Sequence, residues 1–252
     1  DPTCCGIVDA GEATYSCDLT NVLQATRGNT GVGNWTGPAG AVYTDAFAEN
    51  TTVTMPIGSG GTYTFYWVEN DGAFCNLIDS VEKTFTDAYT FAPVTTDALC
   101  FSYCDGAVQV TTTGGNGPTG LTYSWSNGEQ GIGLNGVDSL CAGDYTLLVR
   151  DDNNCEGSFT FTISEPILLE IDSLATQPVT CSGDCDGQVE VYDTEAVLYS
   201  FDDGASWSDI NTRPSSCEGI YPVRIQDAIG CIGTGAIEVT GPPPVVADFA
   251  WG

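Results

Sequence analysis

Twelve cysteines and thirty-four acidic side chains, with no histidine, are the chemically capable residues of this 252-residue chain. Without histidine neither a Ser-His-Asp nor a Cys-His arrangement can be assembled. No Cys-x-x-Cys occurs, so the short knuckles of a zinc site are missing too. An even number of cysteines at recurring spacings reads instead as a disulfide framework. Such bridges persist in oxidising compartments, so export is expected. A pair of carboxylates can cleave a glycoside, but with 34 acids the proximity of two discriminates nothing. The run Thr113-Gly-Gly-Asn-Gly117 lacks Gly-Lys-Ser/Thr and precedes strands, which makes it a turn and not a phosphate cradle. The expectation is a protein that is not an enzyme, without catalytic or cofactor-binding residues.

The formal charge of −29, with Lys83, Arg27, Arg150, Arg213 and Arg224 as the only cations, excludes nucleic acid as a partner. It equally disfavours an anionic membrane surface. No run of 18 apolar residues is present, so no membrane insertion is expected. Acidic turns at Asp151, Asp152, Asp202 and Asp203 are the candidates for Ca²⁺, although no dedicated twelve-residue loop occurs.

The cysteines belong to an internal repeat. Cys100-Phe-Ser-Tyr-Cys104-Asp-Gly-Ala-Val-Gln-Val110 matches Cys181-Ser-Gly-Asp-Cys185-Asp-Gly-Gln-Val-Glu-Val191. Tyr123-Ser-Trp-Ser-Asn-Gly128 matches Tyr199-Ser-Phe-Asp-Asp-Gly204, and Cys141-Ala-Gly-Asp-Tyr145 matches Cys217-Glu-Gly-Ile-Tyr221. Cys155 and Cys231 each precede a proline, Pro166 or Pro242, by 11 positions. A more distant first unit carries Cys17, Gly33-Asn-Trp35-Thr-Gly37 and Gly61-Thr-Tyr63, and ends its last predicted hairpin at Cys75. The chain therefore divides into residues 1–90, 91–166 and 167–244, with 245–252 expected to start a further domain or linker. Its beginning at Asp1 reads as though cut from something longer.

The elements holding these cysteines read as strands. Val108, Val110 and Thr112 alternate with polar neighbours, as do Tyr145, Leu147 and Val149, and Phe159, Phe161 and Ile163. Asn-Gly, Asp-Gly and Gly-Gly turns recur every ~8–12 residues. No segment carries a sustained helical period. The expected fold is all-β: tandem immunoglobulin-like antiparallel β-sandwich domains, disulfide-stapled because each unit is too small to bury much core. Four cysteines in a unit allow three pairings, which sequence alone does not decide. The favoured set stays within units: Cys17–Cys75, Cys100–Cys155, Cys104–Cys141, Cys181–Cys231 and Cys185–Cys217, leaving Cys4 and Cys5 over.

The pattern Cys…Asp-Gly-x-Val-x-Val…Tyr-x-Trp-Ser-Asn-Gly…Gly-x-Tyr-x-Leu-x-Val-x-Asp…Cys resembles the SprB-type repeat of giant surface adhesins of gliding Bacteroidota. The resemblance covers the second and third units; the first resembles the immunoglobulin-like modules beside such repeats. It implies type IX secretion to the bacterial outer surface and a role in adhesion. The Cys104/Cys141 and Cys185/Cys217 pairs are a departure from that pattern. In those bacteria O-glycans are carried on Ser or Thr between Asp and an apolar residue, which makes Ser80, Ser139 and Ser173 glycosylation candidates. Ser200-Phe-Asp202-Asp-Gly204-Ala-Ser-Trp207 matches the Asp-box hairpin, a structural turn in sialidase propellers.

The function expected from these features is that of a stiff, non-catalytic stalk in a large secreted adhesin or filament, presenting adhesive sites for surface attachment or gliding. Its partners would be neighbouring domains of the same long chain, with surface polysaccharide or other cells beyond them. The alternative is a glycan-binding accessory module of a secreted polysaccharide-active protein, stacking sugars on Trp35, Trp67, Trp125 or Trp207; buried rings would count against it. One Lys–Asn crosslink, at Lys83, is the most the sequence permits.

Overall fold

The computed structural model describes residues 6–28, 31–70, 75–115 and 120–244. Among them every regular element is a strand, and no helix is long and apolar enough to cross a membrane, which leaves β-barrels aside. The expected 245–252 segment and the leftover Cys4 and Cys5 lie outside the described residues.

The first segment is a β-sandwich. One sheet is ordered β1 (Thr14–Tyr15), β7 (Asn76–Phe85), β6 (Gly61–Asn70), β3 (Val32–Thr36). The other is ordered β2 (Thr20–Gln24), β5 (Asn50–Thr54), β4 (Val42–Tyr43). Strict alternation in β6 turns Phe65, Trp67 and Glu69 inward, all at 0 % exposure. Trp35 of β3 sits opposite Trp67 in the register, their rings 5.3 Å apart. These rings join Leu23, Val53, Val81 and Phe85 in one core. Each fully buried large side chain contributes about 1.5–3 kcal/mol. The β1–β7 pairing departs from the expected antiparallel pattern: the two run parallel, Thr14 facing Lys83 and Tyr15 facing Thr84.

The two repeats share one topology. In the second, β8 (Asp87–Thr96), β9 (Gly106–Gly115) and β12 (Gly136–Leu140) form a sheet ordered β12-β9-β8. Its counterpart is β11-β10-β13-β14, from β10 (Thr122–Trp125), β11 (Gln130–Ile132), β13 (Gly143–Arg150) and β14 (Glu156–Ile163). In the third, β15 (Ser173–Gln177), β16 (Gly187–Tyr192) and β18 (Thr212–Ser216) repeat the first sheet as β15-β16-β18. Likewise β17 (Ala196–Ser200), β19 (Gly219–Asp227) and β20 (Ile232–Val239) repeat the second as β17-β19-β20. The third repeat has a single bridge, Tyr199 to Ser208, where the second has β11. Buried Val108, Val110, Leu147 and Val149 have Val189, Val191, Val223 and Ile225 at the matching positions.

By contacts the chain falls into two compact units. One comprises Asp1–Thr95, Val108–Asp138 and Asp144–Thr162; the other comprises Thr96–Ala107, Ser139–Gly143 and Ile163–Gly252. The boundary thus runs through the second repeat, whose Cys-x3-Cys turn and Cys141 loop group with the third. The expected all-β, disulfide-stapled sandwich architecture is what the sequence adopts.

Candidate functional site

The chemically distinctive parts of this molecule are the places where cysteines meet. Two kinds of element build them. The first is a leading turn. In the second repeat, Tyr103 N donates to Cys100 O at 3.1 Å, and Leu99 N to Asp105 Oδ1 at 3.0 Å. In the third, Asp184 N donates to Cys181 O at 3.1 Å, and Thr180 N to Asp186 Oδ1 at 2.9 Å. The residue two past the leading cysteine is left-handed in both, Ser102 at φ 59° and Gly183 at φ 88°. The Asp of Cys-Asp-Gly is thus a turn-former, its carboxylate an acceptor for a backbone amide six residues earlier in the same loop.

The second element is a hairpin that presents a cysteine. Asp151 Oδ1 accepts from Asn153 N and Cys155 N, both at 2.9 Å. Asp227 Oδ1 accepts from Ile229 N at 3.0 Å, Gly230 N at 2.8 Å and Cys231 N at 2.9 Å. The residue before each cysteine is again left-handed, Asn154 at φ 64° and Gly230 at φ 102°. An Asp-x3-Cys sequence therefore holds its cysteine by a ring of amide hydrogen bonds to one carboxylate.

The long bridges join a cysteine of one unit to the hairpin cysteine of the next. Cys17 is bonded to Cys155 and Cys100 to Cys231. Within repeats, Cys104 is bonded to Cys141 and Cys185 to Cys217, as expected. Cys75 is disulfide-bonded, though not to Cys17. Cys181 is free and exposed.

Three expected pairings are thereby overturned: Cys17–Cys75, Cys100–Cys155 and Cys181–Cys231. The reason is strand length. Ser16 N donates to Thr84 O, which puts Cys17 beside the far end of β7, whereas Cys75 sits at its start. Ala98 N donates to Ser164 O just past β14, whereas Cys155 precedes that strand. Val179 N donates to Thr240 O just past β20, whereas Cys231 precedes it. A strand of eight or more residues separates its ends by about 25–30 Å, and a disulfide needs Cα atoms within about 7 Å. Leading and hairpin cysteines of one unit thus lie at opposite ends of its sandwich. The overlooked signal was that each unit contributes one of each, so a pairing displaced by one unit uses the same residues.

The other candidates do not converge. Asp151 is buried, its carboxylate also taking the Tyr15 hydroxyl at 3.2 Å, with the half-buried Tyr89 phenol beside it. Burial first, then the negative charge of Asp151, push the Tyr89 phenol upward. Asp202 accepts from Ser206 Oγ at 2.6 Å, Ser206 N at 2.9 Å and Ser200 Oγ at 2.7 Å, bonds that hold it down at about 2. Asp203 pairs with Arg224, and Asp152 lies beside Gly120. These carboxylates shape separate turns, and among the described residues no three His, Cys, Asp or Glu side chains could share a metal ion. The candidate Ca²⁺ residues are thus not assembled into a site.

Ser80, Ser139 and Ser173 are all exposed, two of them on strands β7 and β15 and the third in β12 with φ 57°. Trp35, Trp67 and Trp125 are core residues at 2 %, 0 % and 5 % exposure. Their indole N–H groups are spent on Ala48 O, Glu69 Oε1 and Leu134 O. Trp207 is half-buried, so the four rings form no exposed platform. Lys83 is buried in the first sandwich and donates to Glu12 O at 2.7 Å and Thr14 Oγ1 at 3.0 Å; burial lowers its pKa.

No family model and no curated protein matches the chain. Among solved structures, it is similar to the N-terminal eight Ig domains of Down Syndrome Cell Adhesion Molecule, at 14 % identity and a TM-score of 0.49. That match covers 95 % of this chain and 37 % of the other, so this chain spans a little over a third of its length. It is similar also to the full ectodomain of mouse nectin-like molecule 4, at 8 % identity and a TM-score of 0.41, covering 94 % of this chain and 99 % of that one. A third likeness, to fibronectin(III)-like modules of Clostridium thermocellum CbhA, has 12 % identity and a TM-score of 0.28, covering 63 % of this chain and 94 % of that one.

Proposed function

We propose that this chain is a non-catalytic repeat segment of a large secreted cell-surface adhesin or filament on a bacterial outer surface, a stalk that presents adhesive sites for attachment or gliding. The observation that supports this reading is the displacement of the long bridges by one unit. Cys17–Cys155 and Cys100–Cys231 close overlapping loops, with sequence separations of 138 and 131 residues. Tension entering at Cys17 crosses to Cys155, runs back 14 residues to Cys141, and crosses to Cys104. It then runs back 4 residues to Cys100 and crosses to Cys231. The taut covalent path is about 80 Å, whereas the same stretch without bridges would extend to about 700 Å. A catalytic or small-ligand module has no need of such a path; a load-bearing stalk does.

The exposed Ser80, Ser139 and Ser173 suit the surface glycosylation that the SprB-type resemblance implies, and the disulfides suit an exported protein. The glycan-binding alternative is not favoured, because three of its four tryptophans are core residues.

Single-molecule stretching between handles at the two ends tests the stalk. The oxidised chain should resist extension across the Cys17–Cys231 stretch, and a reductant should release several hundred ångströms of new contour length. Full extension of the oxidised chain would remove the reading.

A further inference from the structure

We propose that Cys181 is a disulfide acceptor for the hairpin cysteine of a further Asp-x3-Cys repeat following on the same polypeptide. The long bridges follow one rule across three units. The leading cysteine of the first, Cys17, takes the hairpin cysteine of the second, Cys155. The leading cysteine of the second, Cys100, takes the hairpin cysteine of the third, Cys231. Cys181 is the leading cysteine of the third and is exposed and unbonded. Both observed long bridges run forward, from an earlier unit to the hairpin of a later one.

The backbone turn that presents Cys100 to Cys231 in the second repeat recurs around Cys181. Both turns have the same internal hydrogen bond from the third residue to the leading carbonyl, at 3.1 Å in each. Both have the same Asp side chain capping the residue before the cysteine, Asp105 on Leu99 N and Asp186 on Thr180 N. Both are tied at their second cysteine by an inner bridge, Cys104–Cys141 or Cys185–Cys217. The residue two before the partner in that bridge is left-handed in both, Ser139 at φ 57° and Ser215 at φ 59°. What differs is the partner, and the residues within the turn, where Ser182 and Asp184 stand at the positions of Phe101 and Tyr103. With Cys231 in place, Cys100 is 3 % exposed and Cys231 is 6 % exposed. A cleft of about 280 Å³ runs beside them, lined by Phe101, Tyr103, Ile167, Leu169 and Ile229. Cys181 sits on the same backbone turn and has no hairpin partner.

Two thiols joining as a disulfide release two protons and two electrons. The electron acceptor here is the oxidised disulfide of a thiol–disulfide oxidoreductase, which leaves as its dithiol. The hairpin thiol first enters a mixed disulfide with that catalyst; the Cys181 thiolate then attacks the hairpin sulfur and expels the catalyst's thiolate. Geometry demands only that the incoming hairpin hold its cysteine as Asp151 and Asp227 do, by the carboxylate-to-amide ring.

This inference deepens the stalk reading by naming how one repeat is joined to the next. The two can fail separately: stretching tests load, whereas the following experiment tests connectivity. The mature full-length polypeptide is treated with N-ethylmaleimide without reduction, digested with pepsin at low pH to suppress exchange, and mapped by mass spectrometry. The expected result is a Cys181 peptide disulfide-linked to a peptide carrying an Asp-x3-Cys hairpin, in a species that runs as a monomer on a non-reducing gel. A maleimide adduct on Cys181, a link to any other thiol, or a hairpin link carried by a separate chain would overturn the proposal. A second measurement uses this chain with its own residues 167–242 repeated after Pro242. The added hairpin cysteine should protect Cys181 from maleimide, and changing that added cysteine to Ser should restore labelling more than tenfold. Equal labelling in both versions would overturn the proposal as well.

Discussion

The leading turns of the second and third repeats share motif, backbone and inner bridge, yet one cysteine is buried in a bond and the other stands in solvent. The shared backbone of the turn does not account for the difference. It comes from outside the turn, from a hairpin 131 residues away in sequence. The lesson is that the repeat supplies a receptor and a plug at opposite ends, and that neither can satisfy the other within one sandwich. Chaining follows from strand length, because strands as long as β14 and β20 hold the two cysteines apart.

Removing an occupied receptor should separate the two turns most strongly. Cys100→Ser opens a bridge spanning 131 residues, and loss of such a bridge costs about 2–5 kcal/mol. Cys181→Ser should leave the denaturant midpoint of the oxidised chain within experimental scatter. Equal losses for the two variants would mean that Cys181 is bonded within this chain. An inner bridge tests the shared part: Cys104→Ser and Cys185→Ser open loops of similar size, with separations of 37 and 32 residues, and each should cost about 3 kcal/mol.

The plug is the next point of attack. Asp227 gives one oxygen to three amides in the hairpin that seats Cys231. Asp227→Ala leaves those donors without their acceptor and should cost about 1–3 kcal/mol. The Cys100–Cys231 bridge should then reduce faster under limiting dithiothreitol. Asp227→Asn retains an acceptor oxygen and should sit close to the parent. If the alanine variant reduces at the parent rate, the carboxylate does not hold the cysteine.

The two occupied junctions also differ from each other. At the first, Asp151 takes the Tyr15 hydroxyl and lies beside the Tyr89 phenol, whose pKa is raised. An acid with a raised folded pKa contributes its full stability below its unfolded value of about 10 and loses it as pH climbs above that. Stability near the first junction should therefore fall above about pH 10, and Tyr89→Phe should remove part of that fall. Alkaline titration of tyrosine absorbance at 295 nm in parent and variant checks this. A Tyr89 that titrates with the exposed tyrosines would contradict it.

Much of this was legible in the chain itself. Alternation in Phe65, Trp67 and Glu69, or in Leu147 and Val149, marks the strands because one face must be buried. The repeated Cys-x3-Cys-Asp-Gly and Asp-x3-Cys motifs mark the turns because each Asp serves backbone amides, a local interaction within six residues. The inner bridges were also legible, since Cys104 and Cys141 lie near one end of a single small unit. The long bridges were not. Their partners are set by which ends of different sandwiches meet, and the spacing of cysteines is the same whether a unit bonds itself or its neighbour. The parallel β1–β7 pairing was hidden for a similar reason: two residues, Thr14 and Tyr15, carry no periodicity to read.

The repeats differ more subtly at their Asp-box turn. Asp202 in the third repeat corresponds to Ser126 in the second, which accepts instead from Thr146 N at 3.0 Å. Hydrogen bonds from Ser206 first, then from Ser200, hold the Asp202 carboxyl down at about 2, against about 3.9 for a free aspartate. A depressed folded pKa stabilises the turn above the unfolded value, and that contribution is lost as pH falls from about 4 towards 2. The third-repeat turn should therefore loosen in acid while the second-repeat turn, with a hydroxyl at that position, should not. Carboxyl ¹³C shifts of Asp202 followed from pH 6 to pH 1.5, with the Ser206 amide as reporter, measure this directly. A midpoint near 2, absent from the Ser126 turn and abolished by Asp202→Asn, fits an anchored carboxylate. A midpoint near 3.9 would mean that the serine hydroxyls do not hold it, and that the two turns differ in sequence without differing in acid response.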